Sequence, residues 1–160
     1  FTPMVLTFGK LIANGATNVI PSEVYLSGTF RTFDEEWRKT AKKHIRRIIK
    51  QTCQAHGCTV DIDMPEGYPY LENNEKLTRR VRSFATELIG EENILEFDQR
   101  MTSEDFSFYS QLYPSCFYRF GIRGEQPTGN SHSSNFCIDE KALLTGVSGL
   151  AWIGLKCLEN

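Results

Sequence analysis

The stretch Val24-Tyr-Leu-Ser-Gly-Thr-Phe-Arg-Thr-Phe33 decides how the first part of this chain folds. Side chains on a β-strand alternate between its two faces, so Val24, Leu26, Gly28 and Phe30 share one side. The opposite side carries polar residues and ends at Arg31. The pattern therefore predicts a strand with one apolar core face and one polar face.

Arg31 has two interpretations at this point. It is a solvated strand residue, as most arginines are, or it is a binding group for a carboxylate. The second interpretation rests on its planar guanidinium, which matches a carboxylate with two parallel hydrogen bonds. The strand pattern leaves both open.

A long helix is predicted directly after this strand, from Asp34 to Gly57. Acidic residues open it near the positive end of the helix dipole, and a glycine stands at its C-terminal cap. One apolar stripe is expected, formed by Trp37, Ala41, Ile45, Ile48, Ile49 and either Thr52 or Cys53. The other faces are basic, with Arg38, Lys39, Lys42, Lys43, Arg46, Arg47 and Lys50. We interpret this surface as solvated and expect no nucleic-acid partner, because aromatic platforms beside the charges are missing.

Two further strands are predicted around this core, at Met4–Phe8 and at Cys58–Met64. The order strand, strand, helix, strand is three-quarters of a βαββαβ split unit, without its opening strand and helix. Such a sheet exposes an edge. Together with a chain that starts at Phe1, this gives the expectation that a preceding part of the fold has been removed.

The remaining sequence predicts a second unit of α/β type. Its helices and strands alternate, which is typical of a layered sheet. The predicted elements are Asn73–Gly90 (helix), Ile94–Phe97 (strand), Met101–Leu112 (helix), Cys116–Ile122 (strand) and Asp139–Leu158 (helix). The expected fold class of the whole chain is α/β (α+β).

Two places in this second unit carry candidate functional residues. Ser103 and Glu104 open the middle helix, where a capping serine and a dipole-favoured acid are the plain interpretation. His132 lies in the polar loop between the last predicted strand and the closing helix. Histidine on a loop held by a rigid scaffold is typical of metal ligands and acid–base groups.

Composition limits the class of protein. A formal net charge of -2 over 160 residues argues against a nucleic-acid or membrane-surface protein. No run approaches the roughly 20 apolar residues of a membrane span, so no membrane partner is expected. Five cysteines, an odd number, favour packing or inert thiols in a reducing, cytoplasmic compartment over a disulfide framework.

Five motifs in order resemble the C-terminal part of the zinc aminoacylase and carboxypeptidase superfamily. The resemblance is strongest to its hippurate hydrolase type, the N-acyl-amino-acid amidohydrolases, and extends over essentially the whole chain. The motifs are Asn18-Val-Ile-Pro21, Gly28-Thr-Phe-Arg31, Gly67-Tyr-Pro69 with Asn73-Asn74, Met101-Thr-Ser-Glu-Asp-Phe106, and His132-Ser-Ser-Asn-Phe136 with Ile138-Asp-Glu-Lys-Ala-Leu143.

The resemblance implies a division of the chain and a role for single residues. Residues 1–71 would be a partial ferredoxin-like lid (β-β-α-β), and residues 72–160 the C-terminal α/β portion of a zinc-peptidase-like catalytic domain. His132 matches the family's final metal ligand. Asn18 and Arg31 match lid residues that hold the substrate carboxylate. Ser103 and Glu104 match a motif that borders the substrate pocket.

The resemblance also implies the chemistry and the partners. The substrate would be an N-acyl amino acid or a small peptide, cleaved at its amide bond. A divalent metal, zinc first with manganese, cobalt and nickel as alternatives, would acidify a bound water and polarise the carbonyl. The protein would form a homodimer through the lid sheet.

Two departures from the family pattern restrict these expectations. Ser131 and Ser134 stand where the family usually has an apolar residue and often has a proline. The other metal ligands and the catalytic glutamate lie upstream in the family, and a catalytic zinc needs about three protein ligands. We therefore expect the chain alone to be metal-poor and inactive. The alternative is a non-catalytic association module built on the exposed lid edge.

Overall fold

The computed structural model describes residues 2–124 and 129–159 and shows a mixed α/β protein. The chain divides into two compact units. The first contains the chain up to Leu71 together with Gln99–Phe108, and the second contains Glu72–Asp98 and the chain from Tyr109 onward. The regular elements are strands β1 (Met4–Ile12) and β2 (Tyr25–Thr32), helices α1 (Glu35–Ala55), α2 (Glu75–Ile89), α3 (Ser107–Ser110) and α4 (Lys141–Leu158), and a single 3₁₀ turn (Glu91–Asn93).

Strands β1 and β2 form an antiparallel pair in the first unit. Thr7 lies opposite Thr29, and their hydroxyl oxygens are 2.9 Å apart, so the polar face predicted from the alternation exists. Gly28 lies opposite Phe8, where an added Cβ would collide with the Thr7 carbonyl and the Phe8 ring. A bulge between Phe8 and Lys10 shifts the register of the remaining pairs.

The predicted apolar core face of this sheet is not covered by the described residues. Leu6 is 47% exposed, Phe8 is 56% exposed and Leu26 is 51% exposed. A two-stranded hairpin has too little surface to enclose its own apolar side chains. The prediction of alternation was correct, and the prediction of a buried face was wrong for these residues.

Helix α1 follows the sequence prediction closely. The Asp34 side chain accepts a hydrogen bond from the Trp37 backbone N–H at 2.8 Å, which caps the first turn. At the other end Gly57 takes a φ of +68°, the left-handed conformation that ends many helices. Ala41 is the most buried residue of the apolar stripe.

Three predicted strands and part of one helix are absent from the described structure. Cys58–Met64, Ile94–Phe97 and Cys116–Ile122 have no strand pairing, and the lid order is therefore β-β-α instead of β-β-α-β. A strand forms only when a neighbour bonds its backbone N–H and C=O groups, and the described residues supply no such neighbour. The helix predicted over Met101–Leu112 is reduced to the single turn α3.

The second unit is built on the packing of α2 against α4. Trp152 donates its indole N–H to the Phe84 carbonyl at 3.0 Å, and Lys156 lies 3.8 Å from the Glu87 carboxylate. Val81 of α2 and Ile153 of α4 are the most buried apolar side chains of this unit. Part of the surface of each helix is thus buried against the other helix.

The other side of α4 is apolar and exposed. Leu144 is 75% exposed and Leu150 is 66% exposed. By length and composition α4 is a helix that could cross a membrane, with a mean hydropathy of 1.2 and 6% of its residues buried. The sequence led us to expect no run approaching a membrane span, and α4 comes nearer to one than expected. Core helices of soluble proteins pass the same test of length and composition, so these two properties do not assign α4 to a membrane.

Candidate functional site

Arg31 is the best-defined of the predicted site residues. It lies near the end of β2, half-buried, and one guanidinium nitrogen (Nη1) donates to the Met101 carbonyl oxygen at 2.6 Å. This bond joins residues 70 positions apart in sequence. A half-buried guanidinium fixed by one carbonyl retains further N–H donors. Of the two interpretations of Arg31, a freely solvated side chain is excluded by this contact.

The contact places Arg31 beside the segment that contains Ser103 and Glu104. Gln99–Phe108 belongs to the first unit, with Arg31, although the sequence division placed it in the second. Ser103 is exposed and Glu104 is half-buried. All four predicted substrate-binding residues, these three and Asn18, therefore lie in the first unit.

Ser103 and Glu104 do not cap a long helix, which was the plain interpretation of the sequence. The Glu104 carbonyl accepts hydrogen bonds from the Ser107 backbone N–H at 3.2 Å and from its hydroxyl at 2.5 Å. Ser107 is completely buried. A tight turn from Glu104 to Ser107, held by the buried serine, therefore follows directly after Ser103. We call Ser103 together with this turn the Ser103–Glu104 turn.

Asn18 lies at a tight turn of the first unit. Ala16 and Val19 form an isolated antiparallel bridge, with backbone hydrogen bonds of 3.1 Å and 3.0 Å in the two directions. Asn18 is exposed between them. Its amide is thus presented by a short, self-bonded turn.

His132 is exposed and has an unusual backbone conformation in the second unit. Its φ of 68° makes it the one non-glycine residue with positive φ in the ranges 2–124 and 129–159. His132 lies inside a turn closed by Ser133 N–H to the Asn130 carbonyl, and the next turn is closed by Phe136 N–H to the Ser133 carbonyl, both at 3.1 Å. Non-glycine residues held in this region are concentrated at functional sites. The earlier part of the predicted loop, residues 125–128, lies outside the described residues.

The described residues do not form a metal centre by themselves. No group of three or more histidine, cysteine, aspartate or glutamate side chains is arranged to hold a metal ion in the part of the chain that the structure describes. His132 can contribute one imidazole ligand, and a zinc site needs about three protein ligands. By themselves, these residues therefore provide no metal-dependent catalytic step.

The predicted exposure of two basic side chains on α1 was wrong. The side chains of Arg38 and Lys42 are only 16% and 14% exposed, although both were assigned to a solvated basic face. They bond the segment 65–70, which we call the α1-bound segment. The signal was present in the spacing, because Arg38, Lys42, Ile45 and Ile49 recur at helical intervals and share one side of α1.

Two ionisable groups outside these residues have shifted pKa values. Burial raises the pKa of the Tyr118 hydroxyl above its ordinary value of 10.0, and the nearby Cys116 adds to the effect. The pKa of Lys39 is raised above 10.5, chiefly by its hydrogen bond to Glu36 one turn earlier. Neither group belongs to the candidate site.

Comparison with known proteins gives a consistent result. The family model described as Peptidase family M20/M25/M40 matches residues 5–153. Thermostable carboxypeptidase 2 of Saccharolobus solfataricus is 30% identical over 157 residues, covering 96% of this chain and 39% of that protein. The IAA-amino acid hydrolase ILR1-like 4 of Arabidopsis thaliana is 33% identical over 150 residues, covering 90% of this chain and 34% of the relative. N-acetyldiaminopimelate deacetylase of Lactococcus lactis is 30% identical over 140 residues, covering 87% and 36%.

A solved structure agrees with these relatives. The YXEP protein of Bacillus subtilis, described as a dinuclear metal binding peptidase from the M20 family, superimposes with a TM-score of 0.75 at 26% identity. The alignment covers 98% of this chain and 42% of that one. This chain thus spans about two-fifths or less of the length of these relatives.

Proposed function

Because this chain belongs to peptidase family M20/M25/M40, we propose that it is the C-terminal portion of a metal-dependent amidohydrolase or peptidase. The substrate is an N-acyl amino acid or a small peptide, hydrolysed at its amide bond. Relatives named carboxypeptidase, amino-acid hydrolase and deacetylase support this class, since each name implies removal of an amino acid or of an acyl group.

The observation that carries the proposal is the position of Arg31. Its guanidinium is half-buried, is bonded to Met101, and lies in the same unit as Ser103 and Glu104. A substrate carboxylate accepts hydrogen bonds from the remaining N–H groups of Arg31. Asn18 lies in the connection between β1 and β2, at the other end of the hairpin from Arg31. Ser103 and Glu104 border the bound amino acid. Orientation through a carboxylate is a large part of what an amide hydrolase supplies.

His132 contributes one ligand to the metal centre of the complete enzyme in this proposal. Zinc is the metal we expect first, with manganese, cobalt and nickel as alternatives, because neutral imidazole binds all of them well. With His132 as one of its ligands, such a metal would supply an acidified water and a polarised substrate carbonyl in the complete enzyme. Residues 1–71 are the lid and residues 72–160 the C-terminal part of the catalytic domain. The five free thiols suit a reducing, cytoplasmic location.

The test measures carboxylate recognition by the chain itself. Hippurate is expected to shift the amide resonances of Arg31, Met101 and Thr102 in an NMR titration, whereas hippuramide, which lacks the carboxylate, is not. Arg31→Met removes the donors and abolishes the shifts. Arg46→Met, an exposed arginine on α1, is the matched control and keeps them. Equal shifts from both ligands, or shifts that persist in Arg31→Met, would contradict the proposal.

A second candidate function is a non-catalytic association module. It is favoured by the exposure of β1, where Leu11 is 66% exposed and every residue lies at the surface. An exposed apolar strand is a template for pairing with a second copy, and a homodimer through this sheet is the form we propose.

Analytical ultracentrifugation over a range of concentrations distinguishes this function. Leu11→Lys places a charge on the exposed strand and is expected to shift a dimer to monomer. His132→Ala, in the other unit, is expected to leave the mass unchanged. A chain that is monomeric at every concentration would exclude the association module.

A further inference from the structure

Three side chains of α1 hold the α1-bound segment, residues 65–70. Arg38 Nη1 donates to the carbonyl oxygens of Glu66 at 2.9 Å and of Tyr68 at 2.8 Å. Lys42 donates to the Pro65 carbonyl at 2.8 Å. Glu35 accepts the Tyr70 backbone N–H at 3.0 Å.

Side-chain contacts, and not helix or strand hydrogen bonds, hold this segment. The α1-bound segment has no helix or strand, and Gly67 turns it with a φ of +69°. Its backbone polar groups are bonded by charged side chains instead. Arg38 is central, because its other terminal nitrogen, Nη2, lies 2.5 Å from Glu35 while Nη1 reaches the two carbonyls. At 16% and 22% side-chain exposure, Arg38 and Glu35 are shielded enough from water for these bonds to be strong.

The α1-bound segment in turn contacts the segment that carries Ser103 and Glu104. The ring of Tyr68 meets the ring of Phe108 edge to face, with centroids 5.7 Å apart and planes at 83°. Aromatic pairs of this geometry are stabilising beyond their buried area. Residues 101–108 are therefore held at both ends, by Arg31 at Met101 and by Tyr68 at Phe108.

We propose that Arg38 is a positioning residue: by holding the α1-bound segment it sets the Tyr68–Phe108 contact and so fixes the Ser103–Glu104 turn beside Arg31. The role in substrate binding rests on the proposed function. The series of contacts from Arg38 through Tyr68 to Phe108, which we call the contact relay, involves no ligand and can be tested on the chain alone. Arg38 touches no substrate and acts through Tyr68.

Amide hydrogen exchange of the 160-residue chain, followed by NMR, tests the relay without any ligand. The amides to follow are Tyr70, bonded to Glu35, and Ser107 and Phe108, bonded to Glu104 and Asp105. In Arg38→Met all three are expected to exchange faster by on the order of tenfold, the effect of losing a pair of hydrogen bonds. Amides in the middle of α1 keep their rates. Arg46→Met, which changes an exposed arginine of the same helix, keeps all rates.

Variants of Tyr68 distinguish the contact of Arg38 with the α1-bound segment from the contact of Tyr68 with Phe108. Tyr68→Leu is expected to speed exchange at Ser107 and Phe108 while Tyr70 stays slow, because only the second contact is lost. Tyr68→Phe preserves the ring pair, so the amides of Ser107 and Phe108 are expected to exchange as slowly as in the unchanged chain. The proposal is overturned if Arg38→Met affects Tyr70 alone, if it speeds α1 and all other amides equally, or if Tyr68→Phe behaves like Tyr68→Leu. Failure of the hippurate titration with the relay intact would instead count against the proposed function.

Discussion

His132 is held in a backbone conformation that its side chain does not favour. A φ of 68° is left-handed, and for a residue with a Cβ this costs roughly 1 kcal/mol. The turn that contains it is closed by the bond from Ser133 N–H to the Asn130 carbonyl, and a second hydrogen-bonded turn follows at once. Sequence reasoning selected this histidine for its loop and its motif, whereas the strained backbone is a separate, structural reason to regard it as a functional position.

The strain at His132 can be measured by substitution. His132→Gly is expected to be more stable than His132→Ala by about 1 kcal/mol, because glycine adopts positive φ without steric cost. Urea denaturation of the two variants gives the difference in the free energy of unfolding. Greater stability of the alanine variant would show that the backbone at residue 132 is not left-handed in solution.

At the scale of elements, two neighbouring asparagines precede α2 and make different hydrogen bonds. Asn74 caps the helix by accepting the Leu77 backbone N–H at 3.0 Å. Asn73 uses both ends of its amide on one residue: it donates to the Phe117 carbonyl at 2.8 Å and accepts the Phe117 N–H at 2.7 Å. This side chain bonds Phe117 as a neighbouring strand would, in a region where the sequence predicted a strand.

Replacing each asparagine by aspartate separates the two roles. Asn74→Asp is expected to leave stability nearly unchanged, because aspartate is an equally good N-cap. Asn73→Asp removes the donor and sets a carboxylate against the Phe117 carbonyl, so the free energy of unfolding should fall by about 2 kcal/mol. Thermal and urea unfolding of the two variants measure this contrast. Equal losses in both would mean that the Asn73–Phe117 pairing contributes nothing.

Helices were predicted far better than strands, for a physical reason. A helix such as α1 satisfies its backbone within four residues, and its caps at Asp34 and Gly57 are also local. A strand such as the one predicted at Cys58–Met64 requires a neighbour from elsewhere in the fold. Alternation therefore revealed which side chains share a face, but not whether a partner strand is present.

At the scale of the whole molecule, the chain is expected to bind metal weakly and to show no turnover by itself. His132 is one candidate ligand, and the described residues contain no cluster of three. Metal analysis after dialysis against zinc should give well under one equivalent, and assays with hippurate and N-acetyl amino acids should give no product above background. Stoichiometric zinc with turnover would overturn this expectation.

The sequence predicted the individual residues of the candidate site but not the contacts that join them to the rest of the fold. Motifs identified Asn18, Arg31, Ser103, Glu104 and His132, and the family resemblance is confirmed by the match over residues 5–153. No pattern in the sequence joined Arg31 to Met101 or Tyr68 to Phe108. The division after Leu71 also gave no sign that Gln99–Phe108 packs with the first unit.

The amino-acid sequence by itself determined the helices with their caps, the alternation of β2 and the family, because each depends on residues close together in the chain or on ordered motifs. The tertiary structure alone decided that Arg31 is fixed at Met101 and that Arg38 and Lys42 are withdrawn from solvent. It also decided that the Ser103–Glu104 turn is held at both ends. These features join residues 23 to 70 positions apart. They depend on side-chain donors that meet the backbone of a distant segment and on one pair of aromatic rings, and both kinds of contact form only when the fold brings the segments together.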